Sequence, residues 1–232
     1  MKIALIGHGA MGQLVESQAR ASGDQIGAIL TTRDSGPSTI DEMAAALGGH
    51  DVAIDFSVGD AVVRNVEACG RAGVPLVEGT TGWKDAEAEV WGLITEHGGS
   101  LVYGANFSIG VNVFYKIVAQ AAKLMAQLDQ YEAFLEEQHH SRKRDVPSGT
   151  ALKLRELMAE HIKFDLPIAS TRAGHIPGTH RIGFDSAADQ ITLTHMARSR
   201  AGFAAGALLA ARWIIGRKGV HEFSDVIDEI LK

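Results

Sequence analysis

The chain has 232 residues, of which 46% are hydrophobic and 22% are charged, and it carries a formal net charge of −6 with a pI near 5.9. This composition is typical of a globular protein with one large or two small domains, and its acidic balance argues against a general nucleic-acid binder. Cys69 is the one cysteine, which excludes an internal disulfide, and no apolar run approaches the length of a membrane span. Since the start also lacks the pattern of a secretion signal, we expect a cytoplasmic protein.

Short apolar runs alternate with helical patterns through the first hundred residues. The predicted strands are 2–7, 25–30, 51–57, 74–79 and 100–106. The predicted helices are 10–21, one that Thr39 and Glu42 open with capping-box spacing, and one around Val62 to Cys69. Apolar strands that alternate with helices indicate an α/β fold with a parallel sheet covered on both faces.

The second half of the chain has a different pattern. Residues 179–185 and 190–195 alternate polar and apolar side chains, as half-exposed antiparallel strands do, and 131–137 is a further predicted strand. The predicted helices are 108–127, 149–160, 201–215 and 224–231. We therefore expect two domains, one formed by 1–107 together with 201–232 and the other by 108–200.

A glycine motif, GHGAMG, spans residues 7–12. It follows a predicted strand and opens a predicted helix, which is the context that a dinucleotide-binding fingerprint requires. Glycines let the backbone approach a pyrophosphate, and the helix N-terminus supplies N–H donors. A plain strand-to-helix turn with incidental glycines is the alternative interpretation.

Three further segments follow predicted strands of the same sheet. Thr31, Thr32 and Arg33 stand where the fingerprint normally has an acid for the ribose 2′-hydroxyl, and they suit a 2′-phosphate at least as well, unless they form a solvated loop. The sequences GTTG (79–82) and GANF (104–107) end the next strands. Ligands of open α/β sheets bind at the carboxyl ends of strands, so both loops can reach a nicotinamide.

The segment EEQHHSRKRDVPSGTAL, residues 136–152, concentrates positive charge in an acidic chain. Its PSGT sequence opens a predicted helix beside the histidines, lysine and arginines, so hydroxyls and free backbone N–H groups converge with cations. This pattern indicates a site for a carboxylate or phosphate, with a solvated charged loop as the alternative. We expect no metal ion, because no cysteine or clear carboxylate partner stands at ligand spacing and the cations would repel one.

The chain resembles the dihydrodipicolinate reductase family along nearly its whole length. The shared motifs, in family order, are GHGAMG, DFS, GTTG, NFSIGVN, HHSRKRDVPSGTAL, TRAGHIPGTHRIGFD and HMARSRAGFAAGALLAARW. The resemblance implies a Rossmann-like dinucleotide-binding domain (1–107 and 201–232) and a mixed-sheet domain (108–200) for substrate binding and oligomerisation. It also implies a homotetramer that reduces 4-hydroxy-tetrahydrodipicolinate with NADPH or NADH, in diaminopimelate and lysine biosynthesis.

The family's site residues transfer motif by motif. The resemblance implies catalytic roles for His139 and Lys143, and substrate-carboxylate binding by His140, Gly149 and Thr150 with Ser148 beside them. It implies cofactor contacts at Gly7, His8, Gly9, Ala10, Met11, Gly12, Gly79, Thr80, Thr81, Gly104, Ala105, Asn106 and Phe107, and residues near the nicotinamide at Arg200 and Phe203.

Two departures and two alternatives remain. The family often has an acid where this chain has Thr31, and the segment from Arg33 to Asp51 is shorter than in many members. Another amino-acid dehydrogenase of the same architecture, such as an aspartate dehydrogenase, would turn over an amino acid. A non-catalytic NADPH-binding sensor would bind cofactor without turnover.

The Arg33→Ala variant should use NADPH less well, with a smaller effect on NADH. An arginine can pair with a 2′-phosphate in a bidentate way, and a partly exposed pair of this kind contributes on the order of 1 kcal/mol. The measurement is kcat/KM for both cofactors, in the unchanged protein and the variant, at low and high salt. Equal losses for both cofactors would show that Arg33 is only a solvated loop residue.

Overall fold

The computed structural model of the protein describes residues 1–31, 39–163 and 165–232, which form two compact units. Unit 1 comprises Met1–Ile109 and Ala201–Lys232, and unit 2 comprises Gly110–Arg200. Thr32 and Arg33, both predicted to contact a cofactor, lie outside the described residues. Within the described stretches, no helix has both the length and the apolar character needed to cross a membrane.

The described residues form ten strands and eight α-helices. The strands are β1 (Lys2–Ile6), β2 (Gln25–Leu30), β3 (Val52–Asp55), β4 (Leu76–Glu78), β5 (Ser100–Tyr103), β6 (Glu132–His139), β7 (Ile168–Arg172), β8 (Thr179–Asp185), β9 (Gln190–Met196) and β10 (Gly219–Glu222). The helices are α1 (Ala10–Ala21), α2 (Ile40–Leu47), α3 (Val62–Ala72), α4 (Glu87–Glu96), α5 (Ile109–Met125), α6 (Gly149–Ala159), α7 (Ala201–Ile214) and α8 (Phe223–Ile230).

Unit 1 is built on a parallel sheet whose described strands lie in the order β10-β5-β4-β3-β1-β2. Strands β3 and β4 are buried along their whole length, as their apolar sequences predict. Strand order reverses between β1 and β3, so the carboxyl ends of these strands mark the switch point at which open α/β sheets bind ligands. The predicted Rossmann-like parallel sheet is confirmed.

Unit 2 contains a mixed sheet, with described strands in the order β7-β6-β8-β9. Strand β6 runs parallel to β7 and antiparallel to β8, which is antiparallel to β9. Phe114 of α5, Leu154 of α6, and Leu135 and Ile182 of the central strands belong to one buried apolar cluster. The helices therefore cover one face of the sheet, and the predicted mixed sheet is confirmed.

Local sequence signals succeeded where they are strong and failed where the apolar pattern is weak. The predicted capping box is present, because Thr39 Oγ1 accepts from Glu42 N at 3.2 Å and Glu42 Oε2 accepts from Thr39 N at 3.3 Å. Sequence analysis missed α4, β7 and β10. Val90 and Ile94, buried one turn apart, were the signal for α4, whereas β7 and β10 are short, half-exposed strands that pairing with β6 and β5 organises.

Two carboxylic acids are buried side by side at the carboxyl ends of β3 and β4. Asp55 and Glu78 stand opposite each other in register, and each is 0% exposed. Asp55 accepts hydrogen bonds from Ser57 N at 2.7 Å and Asn65 Nδ2 at 2.6 Å, and Glu78 accepts one from Thr80 N at 2.7 Å. Burial, and then the charge of Asp55, raise the pKa of Glu78 well above its usual value. The pair therefore retains a proton well above the pH at which an exposed glutamic acid loses its own.

Replacing Glu78 by Gln should flatten the pH dependence of stability. Because the folded state holds this proton more tightly than the unfolded state, the free energy of unfolding falls as pH rises from 4.5 towards the folded-state pKa. The amide of the Glu78→Gln variant cannot ionise. Between pH of about 5 and about 9 the variant should therefore lose less stability than the unchanged protein, by more than about 1 kcal/mol. Urea unfolding at both pH values measures this, with Glu96→Gln at an exposed position of α4 as the control. A pH dependence equal to that of the control would contradict the shared proton.

Candidate functional site

The turn after β1 requires glycine at two of its motif positions. Gly7 has a φ of +83°, and a Cβ there would lie 2.6 Å from the backbone oxygen of Phe56. A Cβ on Gly12 would lie 2.3 Å from the backbone oxygen of Gly7. Gly9 faces open space as the N-cap of α1 and provides no side-chain cap. The turn therefore presents backbone N–H groups at an open helix N-terminus, which is the geometry that holds a phosphate.

A cleft of about 220 Å³ opens beside this turn. Of the predicted cofactor residues, its wall contains Gly7, His8, Gly9 and Thr31. The cleft is also lined by residues that the sequence analysis did not assign to the cofactor, namely Phe56 and Ser57 of the DFS motif, Arg64 and Asn65. In the described first turn of α1, which includes Ala10 and Met11, no side chain is acidic. The cleft therefore suits an anionic group such as the pyrophosphate of a dinucleotide.

The loop after β4 is tied to the loop after β3. Ser57 N donates to Thr80 Oγ1 at 3.0 Å, and Thr80 itself is anchored to the buried acid pair. A Cβ on Gly79 would lie 2.1 Å from the ring of Phe56, so the glycine allows this close approach. Thr81, the next predicted contact, is exposed. The loop is thus held in place and leaves Thr81 open to a ligand.

The loop after β5 divides into exposed and buried parts. Ala105 is exposed, and Gly104 and Asn106 are half-buried. Phe107 is 1% exposed and its ring centroid lies 4.7 Å from that of Phe223. The structure therefore places the Phe107 side chain in the core of unit 1, so only its backbone could reach a ligand.

Two predicted nicotinamide neighbours lie in different units. Phe203 is half-buried on α7 of unit 1, and Arg200 is exposed as the last residue of unit 2. Their roles stay a prediction from the resemblance.

Strand register in unit 2 brings a serine, a glutamate and a histidine into one row. Glu137 of β6 stands opposite Ser170 of β7 and His180 of β8. Glu137 and His139 follow Leu135 on the buried face of β6, because alternate residues of a strand share a face. The strand reaches His139, two residues beyond its predicted end, so this histidine is held by the sheet and does not follow it.

Glu137 accepts hydrogen bonds from three residues. Ser170 Oγ and Arg172 Nη2 donate to its Oε1 at 2.8 and 2.7 Å, and Ser148 N lies 3.1 and 3.2 Å from its two oxygens. Burial raises the pKa of Glu137, but the hydrogen bonds from Ser148, Arg172 and Ser170 outweigh burial and lower the pKa to about 2. The carboxylate is therefore charged at any working pH.

Two histidines lie against this carboxylate. His139 Nδ1 is 3.4 Å from Glu137 Oε2, an electrostatic contact without the alignment of a hydrogen bond, and His180 Nε2 is 3.8 Å from the same oxygen. Burial lowers the pKa of His139, Glu137 opposes that shift, and Lys143 and Arg172 add to it. Burial, and then His139, lower the pKa of His180 to about 4. Both imidazoles are therefore mostly neutral at pH 7.

The N-terminus of α6 adjoins the histidines. Ser148 is its N-cap, since Ser148 Oγ accepts from Ala151 N at 3.2 Å, and the same oxygen lies 3.2 Å from His180 Nε2. Gly149 is exposed and Thr150 half-buried in the first turn. A carboxylate can be bound here by the N–H groups of that turn and by the positive end of the helix dipole.

The cations beside this helix start are mostly accessible. Lys143 Nζ lies 2.7 Å from Asp145 Oδ2, and the lysine side chain is 25% exposed. Arg142 and Arg144 are exposed, and His140 is half-buried. Among the described residues, the buried Nδ1 of His140 has no hydrogen-bond partner. The structure thus brings the predicted substrate residues of the 136–152 segment together at one end of β6.

The histidines do have a carboxylate partner, contrary to the sequence analysis. One donor atom from each of Glu137, His139 and His180 lies within 4.8 Å of the others, a spacing that could hold a metal ion. The sequence analysis was wrong on this point. Alternation along β6 puts Glu137 on the same face as His139, and the register of β6 with β8 brings His180 beside them. The oxygens of Glu137 are already engaged, however, and the guanidinium of Arg172 repels a cation. The arrangement fits a carboxylate that is held by its own hydrogen-bond donors and lies in electrostatic contact with His139 better than it fits a metal site.

Sequence analysis did not find the side chains around His139. Period-two alternation in 132–139 was a sufficient signal for Glu137, which shares a face with Leu135. Ser170 and Arg172 could not be found, because β7 was not predicted. His180 lies on a predicted strand, but its partner becomes evident only from the register of β6 with β8.

Comparisons with known proteins agree with this architecture. The family models described as dihydrodipicolinate reductase, N-terminus, and dihydrodipicolinate reductase, C-terminus, match residues 1–107 and 110–227. The 4-hydroxy-tetrahydrodipicolinate reductase of Christiangramia forsetii is 35% identical over 244 residues, covering 100% of both chains. The protein of the same name from Anaeromyxobacter dehalogenans is 35% identical over 238 residues, covering 93% of this chain and 87% of its own.

Solved structures share the fold. The dipicolinate-bound dihydrodipicolinate reductase from Paenisporosarcina sp. TG-14 matches with a TM-score of 0.80 and 21% identity, over 96% of this chain and 97% of that one. The enzyme GenD2 of gentamicin A biosynthesis, solved with NAD, matches with a TM-score of 0.62 and 11% identity, over 98% and 90%. With both halves matched by the family models and full-length relatives at 35% identity, the chain belongs to the dihydrodipicolinate reductase family.

Proposed function

We propose that this protein reduces 4-hydroxy-tetrahydrodipicolinate to tetrahydrodipicolinate with NADPH or NADH, in the diaminopimelate route to lysine. The observation that carries the proposal is the meeting of His139, Lys143 and the N-terminus of α6 at one end of β6. The reaction consumes the reduced cofactor and one proton, and it releases the oxidised cofactor and one water. The two alternatives, an aspartate dehydrogenase and a cofactor sensor, are not favoured, since full-length relatives bear the name of this reductase.

The cofactor would bind at the carboxyl ends of the strands of unit 1. When bound, it supplies a hydride to the substrate ring. Gly7 and Gly12 let the backbone approach the pyrophosphate, and the first turn of α1 supplies N–H donors to it. The loops at 79–81 and 104–107 would hold the nicotinamide end, the latter mainly through its backbone and Asn106.

The substrate would bind at the cationic cluster of unit 2. It is a cyclic dicarboxylate, so two negative charges must be matched. The first turn of α6, with Ser148, Gly149 and Thr150, would bind one carboxylate, and His140 and the neighbouring cations would bind the charge that remains.

Proton supply falls to His139 or Lys143. Burial and the neighbouring cations lower the pKa of His139, so a proton on this imidazole is given up readily. Lys143 carries an ammonium group paired with Asp145, from which a proton can also be transferred. The electrostatic interaction between Lys143 and His139 supports either group as the donor, and kinetic measurements on variants would distinguish them.

We also propose the wider organisation of the protein. Residues 1–107 and 201–232 would form the dinucleotide-binding domain, and residues 108–200 the domain for substrate binding and assembly. Strand β9 lies at the edge of its sheet in the described chain and exposes Ile191 and Met196, which supports a homotetramer joined through this sheet. A cytoplasmic location is part of the same proposal, because the chain is similar to 4-hydroxy-tetrahydrodipicolinate reductases.

His139→Gln and Lys143→Ala should each lower kcat by about 10²–10⁴, because proton transfer is lost. The affinity for NADPH should change little, since neither residue lies in the glycine motif. The assay follows NADPH absorbance with enzymatically generated substrate, and Lys153→Ala, an exposed position of α6, is the control. Wild-type kcat in both variants would remove these residues from the mechanism, and turnover of aspartate instead would refute the proposed function.

Planar dicarboxylates should inhibit far better than their monocarboxylates. Each charge-assisted contact that a missing carboxylate cannot make should cost about 1.5–3 kcal/mol of binding free energy. Competition by pyridine-2,6-dicarboxylate and pyridine-2-carboxylate, compared in the same assay, measures the difference. Equal inhibition by the two compounds would contradict the dianion site.

A further inference from the structure

We propose that Glu137 is the positioning residue of the site: its buried carboxylate orients His139 and fixes the start of α6 against the same strand. The residue is 1% exposed and lies two positions before His139 on the same face of β6. It binds neither ligand in the function proposed above, on which the catalytic part of this inference rests. Its contacts assign it a role through other residues.

The carboxylate is held by a complete set of donors. Removing a carboxylate from water is costly unless cations and hydrogen bonds replace its hydration. Arg172 supplies the charge at 2.7 Å, Ser170 supplies a hydroxyl at 2.8 Å, and Ser148 supplies a backbone N–H at 3.1 Å. Because these donors come from β7 and from the start of α6, the carboxylate has one position, set by three segments.

This fixed charge selects one form of His139. Nδ1 of the imidazole lies 3.4 Å from Glu137 Oε2, so the carboxylate favours, for the neutral ring, the tautomer that carries its proton on Nδ1. The other nitrogen, Nε2, then carries the lone pair, so it can take up a proton and afterwards pass that proton to the substrate. A Cβ on Gly178 would lie 3.2 Å from this Nε2, so the missing side chain keeps that edge of the ring clear. The loose contact in the free protein can tighten when a dianion raises the proton affinity of the ring.

The same carboxylate positions the predicted substrate site. Ser148 N donates to Glu137 while Ser148 Oγ caps α6 and contacts His180. Moving Glu137 would therefore shift the first turn of α6 relative to His139. One side chain thus sets the distance between the proton-handling imidazole and the N–H groups that would bind a carboxylate.

The Glu137→Gln variant removes the charge and keeps the shape, and Glu136→Gln is its matched control. Glu136 is the preceding residue, points to the other face of β6 and pairs with Arg181 at 2.7 Å. In Glu137→Gln, kcat should fall by roughly 10²-fold while the KM for NADPH stays within about twofold. Nitrogen-15 NMR should show His139 changing from the Nδ1–H tautomer to a mixture, and the Ser148 amide proton losing the downfield shift of a carboxylate-bound N–H. Glu136→Gln should match the unchanged protein in all three measurements.

The proposal would be overturned if Glu137→Gln lost thermal stability but matched the control in its His139 tautomer, its Ser148 shift and its kcat. Glu137 would then be a purely structural residue. If Glu137→Gln does not fold, Glu137→Asp keeps the charge but withdraws it by one methylene. This variant should show the same changes in smaller degree, and its having a wild-type tautomer and kcat would be equally decisive against the proposal. The NMR measurements need no turnover, so they decide the role of Glu137 even if the proposed substrate proves wrong.

Discussion

A carboxylate that stays charged inside a protein must be surrounded by donors, and Glu137 imposes this requirement on unit 2. Its partners come from β7, from the turn before α6 and from the end of β6 itself. Because the cost of an unpaired buried charge is several kcal/mol, these segments cannot move independently. Three strands and the start of a helix thus meet at one side chain, and the candidate site lies beside it.

Unit 1 accommodates buried carboxyl groups in the opposite way. Asp55 and Glu78 receive backbone, amide and hydroxyl hydrogen bonds but no cation among the described residues; burial raises the pKa of both, and the charge of Asp55 raises that of Glu78 further. Sharing a proton avoids the second charge, whereas Arg172 preserves the charge of Glu137. The acid pair anchors the loops at the cofactor end of the sheet, and the paired glutamate anchors the histidine end of the substrate site.

Parts of the site were predictable because their signals are local. The turn at 7–12, the capping box at Thr39 and the helix start at Ser148 each depend on residues a few positions apart. Phe107 shows the limit of motif transfer, since its position in the GANF motif is adjacent to the ligand loop but its ring packs against Phe223 from the far end of the chain. Ser170 and Arg172 lay beyond prediction because β7, with the sequence IASTR, is half-exposed and lacks the apolar pattern that marks a strand.

The sequence by itself determined the family, the alternation of strands and helices, and the cationic segment with its histidines, lysine and helix start. These features are written in spacing and in motifs, which need no knowledge of distant contacts. Only the tertiary structure decided that Ser148, Ser170 and Arg172 surround Glu137 beside His139 and His180, and that Asp55 and Glu78 are buried side by side. Strand register brings those groups together, and register is set by the packing of whole faces, so it cannot be read from any one segment.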